Sequence, residues 1–550
     1  MTIFKLRTVD AIKVFKKEVV YQFILKNCLC IFLVFLFHSN TFSQITSSLK
    51  NNNSKWVYFN SQGKLNYKTL EKGDRIMDFS YAGYMGGGVK IPEIPVKITV
   101  SPSGNDDTEN IQKAIDAVSE MPLSGDFRGT VLLGPGEFNI SKTISIEKNG
   151  VVLRGSGSGL SGNVKSTLKL SGMPFNAISF GQNRNRQNNS EKEFRNPVHT
   201  KISNKYVPSG TTSFSVEDAS QFQVGDLILI RKPVTENWVK FMKMDDLVRD
   251  GKPQTWLPVG SDLITERRIT EISDNKITVD VPLSDSYDLV NLNPPGVMVE
   301  KEMPRPRLKQ SGIEHLHIIS PLQPISHTKP HFTALRINGE DCWAQDLFIE
   351  ETMNSVGVNG KRITIEDVTV RRKALHQGSS RPAEFAPNGS QVLIDRCKVI
   401  ADNVWFVATG KGISGPIVIL NCDFIGDRRA ESHQRWSTGM LYDNVRAKNG
   451  GIDFRNRGSM GSGHGWSMGW GVAWNCEAKD YVIQNPPGAS NWMIGCIGIS
   501  QPMPRPFDNE PNLLEGVIDS PGVHVVPASL YLAQLKERLG SQALENIGYK

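Results

Sequence analysis

Cysteine is scarce, with seven residues in a chain of 550. Two of them, Cys28 and Cys30, lie in the first 44 residues, which leaves Cys342, Cys397, Cys422, Cys476 and Cys496. An odd number without any C-x-x-C pair argues against a disulfide framework and against a zinc site. Glycine, at 49 residues with no period of three, excludes a collagen-like chain, and 30 scattered prolines exclude a long coiled coil. Excess charge is also lacking. Lys and Arg number 63 against 56 Asp and Glu, and without the first 44 residues, which hold six bases and two acids, the balance falls to +3. That is far from the basic excess of a nucleic-acid-binding domain, although a locally basic cleft remains compatible with an acidic glycan. The stretch Gly83 to Gly88 lacks the Gly-Lys-Ser/Thr ending of a phosphate loop and reads as a turn entering a first coil.

What is present begins with an export signal. Lys5, Arg7, Lys13, Lys16, Lys17 and Lys26 precede an unbroken apolar run of ten residues, Cys28 to Phe37, followed by a polar exit at Thr41 to Gln44. This is the order of a secretory signal peptide, and the run is half the roughly 20 residues that a spanning helix needs. The sequence therefore predicts a secreted or periplasmic protein with residues 1–44 as signal and no membrane association after cleavage; an uncleaved anchor is the alternative.

The remaining cysteines fall into a series with other apolar residues: Leu316, Cys342, Val368, Cys397, Cys422, Val445, Cys476, Cys496, at spacings of 26, 26, 29, 25, 23, 31 and 20. Apolar residues alternate at each position, as in Glu366-Asp367-Val368-Thr369-Val370. Period two means strand, and a repeat near 25 residues of short strands and turns means a solenoid whose coils bury their inner faces on one another. The cysteines read as inert core packing. Upstream, Asp106 to Val118 places Ile111, Ala114, Ile115 and Val118 on one helical face behind a capping-box pattern, as expected of a helix covering the open end of the solenoid.

This helix, the Gly-rich segment Gly129 to Gly157 and the coils from Leu316 to Cys496 make the sequence similar to the pectate-lyase-like superfamily of right-handed parallel β-helices. The resemblance implies an all-β solenoid and a polysaccharide substrate. The superfamily includes lyases, hydrolases, esterases and phage tailspikes, so it specifies fold better than chemistry. The expected organisation is 1–44 signal, 45–95 N-terminal extension, 96–210 first coils with the capping helix, 211–288 a β-rich insertion, 289–500 the main coils, and 501–550 a tail whose amphipathic helix, Leu530 to Leu539, packs on the far end. Trp238 and Trp256 in the insertion read as structural packing, with a sugar cleft as the alternative.

One stretch differs in texture. His433, Arg435, Trp436 and Tyr442 are followed by Arg455, Arg457, Gly461, Gly463, His464, Gly465, Trp466 and Trp470. Its glycines permit positive φ and close backbone approach, and the longest repeat spacing, 31, falls here, as expected of a loop carried outside the coil. His376 and Arg381, on earlier coils, are placed to share a groove with it, and most of the Lys361, Arg362 and Arg371 to Lys373 group reads as a solvated face. Elimination across a uronic acid needs a cation for the carboxylate, a base for the neighbouring proton and an acid for the departing oxygen. The sequence assigns Arg435 or Arg457 to the first task, His433 or His464 to the second, and Tyr442 or the other histidine to the third. His376, Arg381, Trp436, Trp466 and Trp470 are assigned to substrate binding.

The reading is a monomeric polysaccharide lyase acting on an acidic glycan, with no nucleic-acid partner and no required cofactor. Nothing in the sequence matches the calcium motif that the resemblance implies for pectate lyases, and calcium is left open. Asp341, Asp346, Glu350 and Glu351 are a loose acidic group read as turn and surface acids. A hydrolase using a pair from Asp423, Asp427, Glu431 and Asp443 is the second reading, and a non-catalytic glycan-binding or structural β-helix the third.

Overall fold

Ile144, Ile178, Leu335, Val356, Phe385, Val407, Ala430, Ile452 and Tyr481 occupy one register position on successive parallel strands, all turned to the same interior. A strand that keeps an apolar residue on its inner side at each turn of a winding chain must stack on the coil before it. The computed structural model, which describes residues 52–160, 162, 164–181, 198–303, 306–324, 329–373, 381–507 and 513–550, is accordingly a parallel β-helix with three sheets. The expected signal segment lies outside the described residues. No helix among the described residues is long and apolar enough to cross a membrane.

Sheet A runs from Val96–Val100 to Val517–Asp519, and its interior ladder includes Val131, Leu153, Ile313, Ala344, Ile365, Ile394, Ile419, Tyr442, Ala473 and Met493. Sheet B begins at Gly136–Ile140 and sheet C at Ile144–Ile146. The corner from A to B is a single residue in the left-handed region on each coil: His315, Asp346, Asp367, Arg396, Asn421, Asn444 and Asn475 all have φ between 48° and 55°. Asn and Asp tolerate this conformation better than other residues with a Cβ. The next residue turns inward, giving Leu316, Leu347, Val368, Cys397, Cys422, Val445 and Cys476. Cys342 does not belong to that series. It pairs with Ile363 on sheet A, and Leu347 takes its place on the rung.

All five described cysteines are buried and unbridged. Burial pushes the Cys342 thiol up to about 12 and raises those of Cys397 and Cys476. Iodoacetamide labelling followed by peptide mapping is expected to leave these five unmodified in the native protein and to modify all of them in denaturant. Labelling of any one under native conditions contradicts the packing described.

The helix Thr108–Ser119 buries Ile111, Ala114, Ile115 and Val118 against the first coil, as expected. The expected capping box does not form: Asp107 makes no side-chain cap, and Asp106 accepts from Thr108 N at 2.9 Å instead.

Sheet A is apolar on its outer side as well, through Leu393, Val418, Leu420, Leu441, Val472, Trp474, Trp492 and Ile494. A parallel sheet with two apolar faces needs a cover on each. Three segments supply the outer one: the N-terminal stretch from Asn53, the insertion and the tail. The insertion is a six-stranded antiparallel sheet running from His199–Lys201 to Met298–Lys301, wider than residues 211–288. The tail helix Leu530–Leu539 lies along sheet A rather than on the far end. Asp443 accepts from Ser529 Oγ and Tyr531 N, and Trp474 Nε1 donates to Pro527 O. Gly83 to Gly88 likewise packs beside Thr364 and Tyr531 on this face and does not lead directly into the first coil. Buried polar side chains stand on the outer side of sheet B, at Thr167, His317 and Glu350, and of sheet C, at Glu431 and Asp453.

Candidate active site

On the outer side of sheet C, Arg429, Ala430 and Glu431 form one strand, and Glu431 sits in register beside Asp453 of the next coil. Two neighbouring carboxylates at a buried position must each find a cation. Arg429 donates to Asp453 and Asp480, and Arg457 Nη1 lies 2.9 Å from Glu431 Oε1. Arg457 is 3% exposed and Glu431 0%. Burial raises the Glu431 carboxyl, but Arg457 and His433 outweigh it and pull it down to about 2. Glu431 is therefore ionised, and its charge is matched inside the protein.

The chain turns from sheet C to sheet A immediately after Glu431, and His433 stands on that turn. Its Nδ1 lies 2.7 Å from Glu431 Oε1 and 2.7 Å from Arg457 Nη1. Arg457 Nη1 donates to the His433 carbonyl at 2.8 Å and lies 2.9 Å from Glu431 Oε1. In the tautomer that donates Nδ1–H to Glu431, Nε2 keeps its lone pair; in the one that accepts from Arg457 at Nδ1, Nε2 carries the hydrogen. Among the described residues Nε2 has no hydrogen-bond partner, and the side chain is 23% exposed. The ring is braced by Trp405 at 5.4 Å and His464 at 5.0 Å between centroids. The Arg457 guanidinium is 5.4 Å from the Trp405 ring and that of Arg381 is 6.0 Å from it.

Loop 455–467 is the excursion that the spacing predicted. Gly461, Gly463 and Gly465 have φ of 61°, 87° and 54°, conformations that a side chain would strain. The loop is tied to the preceding turn by Arg435 N to His464 O at 3.0 Å and Trp436 N to Trp466 O at 2.9 Å. Arg435 reaches across it, donating to Ser462 O at 2.9 Å and to Ser462 Oγ at 2.7 Å, and stays partly exposed. His464 packs against Gly461 with its Nδ1 buried and unpaired. Burial, Arg457 and His433 hold the imidazole down to about 3, so it is neutral at ordinary pH. An unfolded histidine binds its proton near 6.5, whereas this one binds it only near 3. Stability is therefore complete above 6.5 and declines as pH falls towards 3. Thermal melts between those values should show a steeper acid loss for the wild type than for His464→Gln, and equal slopes would contradict the assignment.

The structure brings together His433, His464, Arg435, Arg457 and Arg381, but redistributes their tasks. Arg457 is enclosed and committed to Glu431, so it is not an open cation for a substrate carboxylate. Tyr442 lies on the interior ladder of sheet A between Ile419 and Ala473, stacked on Phe454 at 5.6 Å, with its hydroxyl unpaired. It cannot reach the outer side of sheet C to protonate a leaving group. Trp436, Trp466 and Trp470 are each 3% exposed and turn to the insertion, where Trp436 packs with Trp238 and Trp256. They do not line the groove of His433. His376 lies outside the described residues. Glu431 and Trp405 are the site residues that the assignment of tasks from sequence missed.

The second reading needed a carboxyl pair. Asp443 is buried against the tail helix, Asp423 stands on sheet B beside Arg446, Asp427 accepts from Asn403 N and pairs with Arg428, and Glu431 is bound to Arg457. Asp341, Asp346 and Glu350 are partnered by Arg362, His315 and Arg371, and no group of three or more His, Cys, Asp or Glu that could hold a metal is present among the described residues. The basic group expected to be solvated is also paired: Lys361 bonds Glu266, and Arg372 is wholly buried against Glu384.

No family model and no curated protein matches the chain. Among solved structures it is similar to the tailspike protein gp49 from Pseudomonas phage LKA1, 12% identical with a TM-score of 0.38 over 72% of this chain and 64% of that one. The chain thus spans less than two-thirds of that tailspike. It is also similar to the tailspike of E. coli bacteriophage HK620, 10% identical over 85% of this chain and 70% of that one, TM-score 0.37. A third is the A-module of the Azotobacter vinelandii mannuronan C-5 epimerase AlgE4, 9% identical over 82% and 95%, TM-score 0.27.

Proposed function

We propose that the protein is a polysaccharide lyase that cleaves a uronic-acid-containing glycan by β-elimination on the outer side of sheet C. The observation that carries this reading is His433, whose Nδ1 lies 2.7 Å from the buried Glu431 carboxylate while Nε2 has no hydrogen-bond partner among the described residues. With Nδ1–H donated to Glu431, the imidazole is oriented and its Nε2 lone pair is free to take a proton. Nε2 removes the proton from the ring carbon next to the carboxylate. The electron pair forms the new carbon–carbon double bond, the glycosidic carbon–oxygen bond breaks, and the proton held by His433 passes to the departing oxygen. One residue on one face of the sugar serves both transfers, so the loss of Tyr442 from the site leaves no step without a group.

Arg435, partly exposed at the edge of the groove, pairs with the substrate carboxylate and lowers the cost of charge developing on it. Arg381, beside Trp405, adds to the positive field on the same side. Glu431 and Arg457 pair with each other, which leaves Arg435 as the cation for a ligand carboxylate. The reaction is tested by incubating the protein with a panel of uronic-acid glycans and following ultraviolet absorbance of the unsaturated product. The expected result is rising absorbance with at least one of them. New reducing ends without that absorbance would replace elimination by hydrolysis.

A further inference from the structure

A cavity of about 710 Å³ lies where the insertion meets the corner turns of the coils, and Trp238, Trp436, Trp466 and Trp470 wall it. None of His433, Arg435, Arg457 or His464 lines it, and its volume is within the roughly 300 to 1,000 Å³ of small-molecule sites. Three of the four indole N–H groups are spent inside the protein. Trp436 and Trp470 donate to Asp285 at 2.9 and 3.3 Å, and Trp466 donates to Met242 O at 3.0 Å. What these three indoles present to the cavity is carbon.

Its lining charges balance in number, Lys72, Lys232 and Lys243 against Glu71, Asp74 and Asp288. Lys232 bonds Asp285 at 2.8 Å, Lys72 bonds Asp288 at 3.0 Å, and Asp74 accepts from Tyr206 at 2.6 Å. Lys232 already fills the space over Trp238 and Trp436, at 4.6 and 5.4 Å from their rings, so the aromatic faces are not a vacant cage for a ligand cation. Asn291, Asn485 and Ser490 add amide and hydroxyl groups to the lining. Carbon faces, neutral hydrogen-bonding groups and a lining without net charge suit a sugar ring without a carboxylate.

We propose that this cavity binds a neutral pyranose residue of a glycan, its C–H face against Trp466 and Trp470 and its hydroxyls on Asn291, Asn485 and Ser490. The inference deepens the lyase reading and rests on it for the premise that the ligand is a glycan. The groove on sheet C takes the uronic acid, and the tryptophan cavity takes an uncharged sugar.

Full-length His433→Ala protein, in which turnover is removed, is applied to an array of neutral and uronic oligosaccharides. The best neutral binder is then titrated by tryptophan fluorescence into wild type, Asn291→Trp, which plugs the cavity, and Phe241→Ala, which removes a lining side chain that is 41% exposed. At least one neutral oligosaccharide is expected to bind, and the plug to weaken it about tenfold or more. Should Asn291→Trp fail to fold, Phe241→Ala gives the same comparison. The proposal is overturned if no neutral oligosaccharide binds, or if both variants bind as wild type does. If cavity-sensitive binding is found but no uronic glycan yields an ultraviolet-absorbing product, the cavity stands and the lyase reading falls.

Discussion

His433→Ala protein is expected to lose about 10²- to 10⁴-fold in turnover, the range for removing a positioned general base, with its circular dichroism unchanged. The side chain is partly exposed and fills no cavity in the core, so its loss leaves the interior ladders intact. The effect should fall on kcat more than on KM, because Arg435 and Arg381 supply the attraction for the acidic sugar. The same measurement on Tyr442→Phe should show a much smaller change, since that hydroxyl faces the interior. A His433→Ala variant that keeps more than a small fraction of activity would remove this residue from the chemistry.

The second large effect is expected at Glu431. Changing it to Gln leaves Arg457, which is 3% exposed, without its ionic partner, and breaking a buried pair from one side costs about 3–5 kcal/mol. It also replaces the charged acceptor beside His433 Nδ1 by a neutral amide that can turn either its oxygen or its NH2 to the ring, so turnover should fall by a factor comparable to that of His433→Ala. Denaturant unfolding and initial rates separate the two consequences. Combining Glu431→Gln with Arg457→Met removes both charges, and buried pairs replaced by apolar groups often recover stability. The double variant is therefore expected to regain much of the lost stability and none of the activity. If it regains activity as well, Glu431 is structural only.

The winding of the chain was legible because interior positions of a β-helix must be apolar at period two, and Val368, Cys397, Cys422, Val445 and Cys476 obey that rule on consecutive rungs. Cys342 misled for a definite reason. It follows Asp341, whose φ is 53°, just as Cys397 follows Arg396 at 51°. Each of these coils has two left-handed residues five positions apart, one at each end of the sheet A strand, as with Asp341 and Asp346 or Gln391 and Arg396. A sequence shows the turn-plus-apolar pattern at both and does not distinguish them.

The site was legible where its residues share a loop. His433, Arg435 and the glycines around His464 announce themselves by composition, and the fold joins them through backbone hydrogen bonds between 435–437 and 464–467. Trp405 was missed because it reaches His433 from the preceding coil, a contact set by stacking rather than by proximity in sequence. Trp436, Trp466 and Trp470 were misplaced because nothing local reveals that the outer side of sheet A has a cover. Tyr442 shares its strand with Leu441, and only the register, Ile419 to Tyr442 to Ala473, decides which of the two faces inward.

The central claim is that Nε2 of His433 faces the carbon that gives up its proton. Crystals of the His433→Ala protein with an acidic oligosaccharide, chosen from the glycans that the wild type cleaves, test it most directly. The account predicts the sugar on the outer side of sheet C, its carboxylate on Arg435, and the proton-bearing carbon about 3 to 3.5 Å from the position vacated by Nε2. An oligosaccharide bound along sheet B, or with its carboxylate turned away from Arg435, would contradict it.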